Sequence, residues 1–217
     1  MAISTFSGLV SAVTEYLARD HDTTLVARIP DFITLTEAKL NRLLFVPQME
    51  VRATALVDTS STEPEFISLP SDFQTMRRIR LSSVTGKPPL RFVSGTQIDE
   101  LRYASDNITD QPTSYAIIGT ELELFPTPNE AYTIEMTYRG KIPALTSTNE
   151  ANWLLTLAPD IYLYGTLLES APYMKEDERI QTWALGFSTA LNDLNGLGER
   201  QSFNSGPSDI TLPGVTP

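Results

Sequence analysis

The chain is 217 residues long, 41% apolar and 9% aromatic, enough to bury a real core in one large domain or two intimately packed ones. It carries a net charge of −11, a single histidine and no cysteine. These values exclude a disulfide framework, a thiolate metal site, a cysteine nucleophile and every His/Cys zinc arrangement, and they disfavour a basic nucleic-acid-binding face.

The opening MAISTFSGLVSAVTEYLARDHD has no basic leader, so it does not read as a signal peptide. No run approaches the roughly eighteen apolar residues of a membrane span, and a soluble protein is expected. Phe6, Leu9, Val10, Val13, Tyr16 and Leu17 recur at intervals of three and four, which predicts a helix over 4–18 capped by Ser4 or Thr5. Arg19, Asp20, His21 and Asp22 form a polar junction. His21 between two aspartates imitates a metal site but lacks the further ligands one needs. Thr23 or Thr24 opens a short helical turn through Leu25 and Ile29. Pro30 and Asp31 then suit the first turn of a second helix, which buries Ile33, Leu40, Leu43 and Leu44 and stops before Pro47.

From residue 50 the period changes to two. VRATALVD (51–58), EFISLP (65–70), TMRRIRLSS (75–83) and LRFVS (90–94) read as strands, with STEP (61–64) and TGKPP (85–89) as turns. The Gly-Lys pair of TGKPP lacks the rest of a phosphate loop. A short helix is expected over 95–104, capped by Ser94 or Thr96, followed by a loop over 105–112. In AIIGTELELFPTPNEAYTIEMTYRG (116–140), Leu122 and Leu124 alternate with Glu121 and Glu123. Ile134, Met136 and Tyr138 alternate with Thr133, Glu135 and Thr137. The pattern predicts antiparallel strands with one covered and one solvated face, and the two prolines of FPTPNEA rule out a simple tight hairpin. About six strands in a small sandwich or barrel are expected.

Helical spacing returns after Pro143. Thr148 or Asn149 caps a short segment around Trp153, Leu154 and Leu157; Pro159 and Asp160 start a helix running to Pro172. A last helix over 174–195 carries Ile180, Ala184, Phe187, Leu191 and Leu194, with Trp183 alongside. Glu176, Asp177 and Glu178 fall in its first turn, and Gly196 and Gly198 serve as stops. The expected fold class is therefore α+β: a bundle made of the N- and C-terminal helices (1–49 with 146–197), an inserted antiparallel β-sandwich or barrel domain (50–145), and a C-terminal tail or arm (198–217).

Little in the chain suggests chemistry. Glu121 and Glu123 share a strand face, which the solvated side of a sheet explains without a catalytic pair. Arg77, Arg78 and Arg80 form the one basic cluster, with Arg78 and Arg80 on one strand face and Arg77 opposite, facing carboxylates of an adjacent strand or of a neighbouring subunit. Arg52, Arg91, Arg102 and Arg139 fall in the same region. No catalytic residue, cofactor site or metal site is predicted.

TEAKLNRLL (36–44), SLPSDFQTMRRIRL (68–81), PTSYAIIGTELELFPTPNEAYTIEMTYRGKIPAL (112–145) and NWLLTLAPDIYLYGTLLESAPYMKEDERIQTW (152–183) together resemble the head–tail adaptors of tailed bacteriophages, also called gatekeepers or first tail tubular proteins. Ser170 stands where that last pattern commonly has alanine. The resemblance implies a helical bundle with an inserted β domain, a dodecameric ring between portal and tail nozzle, DNA passing through without sequence-specific binding, and no enzymatic activity or membrane contact. It also implies a location at the head–tail interface of the virion after assembly in the host cytoplasm. On this reading Arg77, Arg78, Arg80, Tyr162, Tyr164 and Trp183, with Phe203, Ile210 and Leu212 of the tail, are candidate subunit or portal contacts, and Trp153 joins the aromatics fixing the bundle. The alternatives are a tail-associated carbohydrate-binding or fibre-like module and a hydrolase using Glu or Asp.

Overall fold

The computed structural model describes residues 3–19, 21–84, 86, 88–106, 108–174 and 178–203, apart from the side chains of Ser202 and Phe203. In chain order the elements are α1 (Phe6–Leu17), α2 (Thr23–Leu43), β1 (Glu50–Leu56), β2 (Phe66–Ser68), β3 (Phe73–Leu81), β4 (Arg91–Phe92), α3 (Gly95–Ala104), β5 (Thr109–Asp110), β6 (Ser114–Ile118), β7 (Glu121–Phe125), β8 (Thr127–Pro128), β9 (Thr133–Gly140), α4 (Trp153–Leu157), α5 (Pro159–Met174) and α6 (Ile180–Phe203). The described residues fall into two compact units, one drawn from Met1–Met49 and Ile142–Pro217, the other from Glu50–Lys141. Among the described residues no helix is long and apolar enough to cross a membrane.

The helical unit joins both ends of the chain around one core. Leu9 and Val13 of α1, Leu25, Ile29, Ile33 and Leu40 of α2, Ile161 and Leu167 of α5, and Trp183, Phe187 and Leu194 of α6 are all buried in it. Thr5 caps α1 through its hydroxyl, and Asp22, one of the aspartates beside His21, caps α2 by accepting from the amides of Thr24 and Leu25. α2 is one helix rather than a turn followed by a helix. Pro30 lies within it, because Leu25, Ile29, Phe32 and Ile33 continue a single buried stripe whose packing outweighs the lost amide bond. Leu43, expected in the core, is 39% exposed. α4 is capped by Asn152 rather than by Thr148 or Asn149, and α5 continues through Pro172 to Met174.

The largest departure lies at the C-terminus. α6 begins at Ile180 and does not stop at Gly196 or Gly198; it continues to Phe203. Gly198 is buried, and a Cβ there would lie 3.1 Å from the Phe45 carbonyl oxygen, so close packing holds the helix where glycine's freedom would end it. A Cβ at Gly196, by contrast, would meet nothing within 4 Å. Gly196→Ala is accordingly expected to stabilise the protein by about 0.5–1 kcal/mol, read as a raised midpoint in urea unfolding. Asp20, Lys87 of the Gly-Lys pair, Glu176, Asp177 and residues 204–217, with Ile210 and Leu212, lie outside the described residues, as does the Phe203 side chain.

The β unit contains nine strands among the described residues, more than the six expected, because several are only two residues long. One sheet has the order β1-β9-β3, a second β2-β7-β6-β4, and β5 and β8 form a separate pair. Most neighbours are antiparallel, but β4 with β6 and β5 with β8 run parallel. β7 and β9 are thus not the two arms of a hairpin: β7 pairs with β6 and β2, β9 with β1 and β3. The tight hairpin is β6–β7, whose two-residue turn opens on Gly119 with φ +60°. Ile79, Leu81, Ile134, Met136 and Tyr138 of the first sheet share a core with Tyr115, Leu122 and Leu124 of the second. The arrangement is a sandwich, and the alternative of a closed barrel is not adopted by the described strands. α3, capped by the Ser94–Gln97 capping box, covers the other face of the second sheet through Ile98, against Ala116 and Phe125.

Candidate interaction surfaces

Alternation on the β1-β9-β3 sheet sends Ile134, Met136 and Tyr138 inward, so the residues between them face out. Two rows of this outer face are fixed by register. Arg52 and Arg78 flank Thr137, and Thr54 and Arg80 flank Glu135. Glu135, on the central strand, is gripped from both edges: the Arg80 Nε donates to one carboxylate oxygen at 2.8 Å, and Arg52 donates to the other. Its side chain is only 2% exposed, whereas those of Arg52 and Arg80 are 68% and 48% exposed. The hydrogen bonds from Arg80 and Arg52, ahead of the simple attraction of their charges, lower the Glu135 carboxyl to about 2.

The sign of the resulting pH dependence is fixed. A carboxyl lowered in the folded state contributes stability that is complete above its unfolded pKa and lost as pH falls. Wild-type stability is expected to decline between about pH 5 and pH 2, and Glu135→Gln is expected to flatten that decline. Denaturant unfolding of both proteins across this range measures the difference; superimposable profiles would contradict the assignment.

Arg77 does not lie opposite its neighbours. The β3–β9 register is irregular between Met76 and Arg78, and the inserted residue, Arg77, approaches Glu50 of β1 at 3.7 Å. Arg139, also on β9, is mostly buried; burial first, and then the nearby Arg77, pulls its guanidinium down. Arg78 is exposed and makes no ion pair among the described residues. The face therefore holds five arginines (52, 77, 78, 80 and 139) against two glutamates (50 and 135), a surplus of three positive charges.

The opposite side of the sandwich has the reverse balance. Glu123 is not on a solvated face: α3 covers it, and Arg102 of α3 reaches Glu123 at 2.9 Å and Glu65 at 3.2 Å. Burial raises the Glu123 carboxyl, Arg102 works against that rise, and Asp99 and Glu65 add to it. Glu121 is exposed, so Glu121 and Glu123 occupy unlike environments and form no facing pair. Asp99 and Glu100 are exposed on α3, and Tyr103, at 93% exposure, follows them on the same helical flank. Arg91 is at the edge of this side, beside Glu100 and Gln97.

In the helical unit, Tyr162 is fully buried at the centre of a polar network. Its hydroxyl donates to Glu37 at 3.1 Å and accepts from the Asn152 amide at 2.7 Å. Glu37 also accepts from the Leu145 backbone amide, and Asn152 donates to the Pro143 carbonyl. Burial is the main influence on both acids here, raising the Glu37 carboxyl and the Tyr162 phenol, while the Leu145 and Tyr162 hydrogen bonds partly restrain Glu37. Trp183 is also buried, with the Arg179 guanidinium 5.0 Å from its ring centre. Tyr164 is half-buried, its ring packed on Gly186, and Trp153 is half-buried against the same core. Tyr162 and Trp183, expected at a subunit or portal contact, are thus enclosed by their own protomer. The arginines instead lie together on a free sheet face.

Glu37, Glu135 and the Arg102 cluster escaped sequence reasoning, although Glu37 left a signal. It falls four residues after Ile33 and three before Leu40, a charged residue set into the buried stripe of a helix. Among the described residues no group of three or more His, Asp or Glu is placed to hold a metal ion.

No curated protein matches the chain. The model of the SU10 adaptor protein family matches residues 4–210. That span takes in both units, every described helix and strand, and both charged faces. The chain belongs to the SU10 adaptor protein family: it is a structural head-to-tail adaptor that forms a ring in the phage virion and contacts portal and tail components there.

Proposed function

We propose that twelve copies of the chain close the ring between the portal and the tail nozzle, that genome DNA passes through its lumen without sequence-specific contacts, and that the ring is built in the host cytoplasm before it is sealed into the virion. The observation that carries this reading is the family match over residues 4–210. The chemistry agrees with it. A net charge of −11 keeps a passing phosphate backbone from adhering, and a chain that must only hold shape needs buried cores and paired surfaces rather than reactive groups. The helical and β units each bring a core of their own, so each offers a preformed surface to a neighbour.

Electron microscopy of the purified protein mixed with its portal tests the reading. A twelve-fold ring seated on the portal is the expected result. A chain that stays monomeric beside the portal, with no affinity for it, would overturn the proposal.

A further inference from the structure

The β unit as a whole is acidic, with nine Lys and Arg against thirteen Asp and Glu between residues 50 and 141. Its charges are nevertheless segregated. The outer face of the β1-β9-β3 sheet has its surplus of three positive charges. On the far side of the shared core, Glu65, Asp99, Glu100, Glu121 and Glu123 outnumber Arg91 and Arg102 by three. The two faces match in magnitude and differ in sign, and the core residues between them make them point away from each other.

We infer that the arginine face of one copy docks on the acidic α3 face of the next, a head-to-tail contact between β units that rests on the ring reading above. Unlike a two-fold contact, which joins a patch to itself, a ring contact joins two different patches of the same chain, so the chain must carry both halves. One sandwich with opposite charges on opposite faces meets that requirement. Arg78, exposed and without an ion pair among the described residues, supplies the basic half together with the solvent-facing sides of Arg52 and Arg80. Asp99 and Glu100 supply the acidic half, with Tyr103 beside them as an exposed ring for the partner to cover. Like faces repel, so the same charges oppose face-to-face pairing and set direction around the ring. A nucleic-acid phosphate backbone is the weaker match: the chain is strongly acidic, and two of the guanidiniums are already held by Glu135.

The test uses the full chain with portal particles as template, imaged by electron microscopy. Arg78→Glu reverses the charge at the exposed arginine that makes no ion pair among the described residues, cutting that face's surplus from three to one, and leaves the Arg52–Glu135–Arg80 grip intact; Asp99→Lys with Glu100→Lys reverses both exposed charges of the other face. Each variant is expected to need about tenfold more protein than wild type for the same fraction of ringed portals, the equivalent of about 1.4 kcal/mol. An equimolar mixture of the two is expected to recover rings, because alternating copies restore opposite charges between position 78 of one copy and positions 99 and 100 of the next at every junction. A variant that had merely failed to fold would not be rescued in that mixture. Rings formed by both variants as readily as by wild type would overturn the inference while leaving the adaptor reading intact, as would a mixture no better than its components. Wild type that never rings on the portal would remove both. A labelled DNA duplex bound by wild type and lost with Arg78→Glu, with ring formation unchanged, would assign the arginine face to nucleic acid instead.

Discussion

Tyr162→Ala is expected to destabilise the helical unit by about 3–5 kcal/mol, the cost of emptying a fully buried aromatic site. The same change strands Glu37 and Asn152, each of which has the Tyr162 hydroxyl as a partner. Tyr162→Phe separates the two contributions. It keeps the ring and removes only the hydroxyl, and is expected to cost about 1–3 kcal/mol, the range for leaving a buried polar group short of a partner. The network also makes a pH prediction. The Glu37 carboxyl is raised by burial, so between its unfolded and folded pKa values the folded state binds more protons. Stability therefore falls as pH climbs through that window and levels off above the folded value. Removing the Tyr162 hydroxyl takes away a bond that favours the charged form, so the decline in Tyr162→Phe is expected to extend to higher pH than in wild type. Urea unfolding of wild type and Tyr162→Phe from pH 4 to 8 reads both effects. Equal midpoints throughout would show that the hydroxyl contributes nothing.

Gly165→Val is expected to destabilise by about 3 kcal/mol, at the upper end of the usual overpacking range. A Cβ at Gly165 of α5 would lie 2.5 Å from the Thr36 Cγ2 of α2 and 3.0 Å from the Phe187 ring of α6, so α5 packs tightly against both neighbours at this glycine. Thr36 has no room to yield: it is fully buried, and its hydroxyl donates to the Phe32 carbonyl at 2.9 Å. Gly165→Ala introduces the same first carbon but gains about 1 kcal/mol of helix propensity, so its net cost is expected to be smaller than that of valine. Thermal or denaturant unfolding ranks the series. A Gly165→Val protein as stable as wild type would mean that α2 and α6 separate without cost.

Periodicity made the elements legible where local chemistry and packing agree. α1 follows from the spacing of Leu9, Val13 and Leu17, and α3 from the cap offered at Ser94 and the three-residue spacing of Ile98 and Leu101. Pro30, Gly196 and Gly198 were misleading because they are breakers only when nothing else holds the helix. Leu25 and Ile29 before Pro30, and the packing of Gly198 on the Phe45–Val46 backbone, hold it in both places. Strand alternation told which side chains share a face but not which strand lies alongside, so nothing in it assigns β7 and β9 to different sheets. For the same reason Glu123 read as solvated: the pattern names a face, and only the tertiary fold brings α3 and Arg102 over it. The arginine cluster was visible as a run of charge. Its partner Glu135 was not, because the two are joined by strand register rather than by sequence distance.

The way the chain enters and leaves the β unit carries a consequence for how such adaptors diversify. β1 begins at Glu50 and β9 ends at Gly140, and Glu50 is paired directly with Arg139, so the entry and exit strands are hydrogen-bonded neighbours. The return segment is then tied down by side chains of the helical unit itself: Asn41 accepts from the Ile142 amide and Glu37 from the Leu145 amide. To the helices, some ninety residues of sandwich amount to a closed loop with adjoining ends, and loop-closure entropy grows only slowly with length. A lineage can therefore lengthen, trim or exchange the β unit while its helical unit stays the same, and new partners can be met without redesigning the part that is kept.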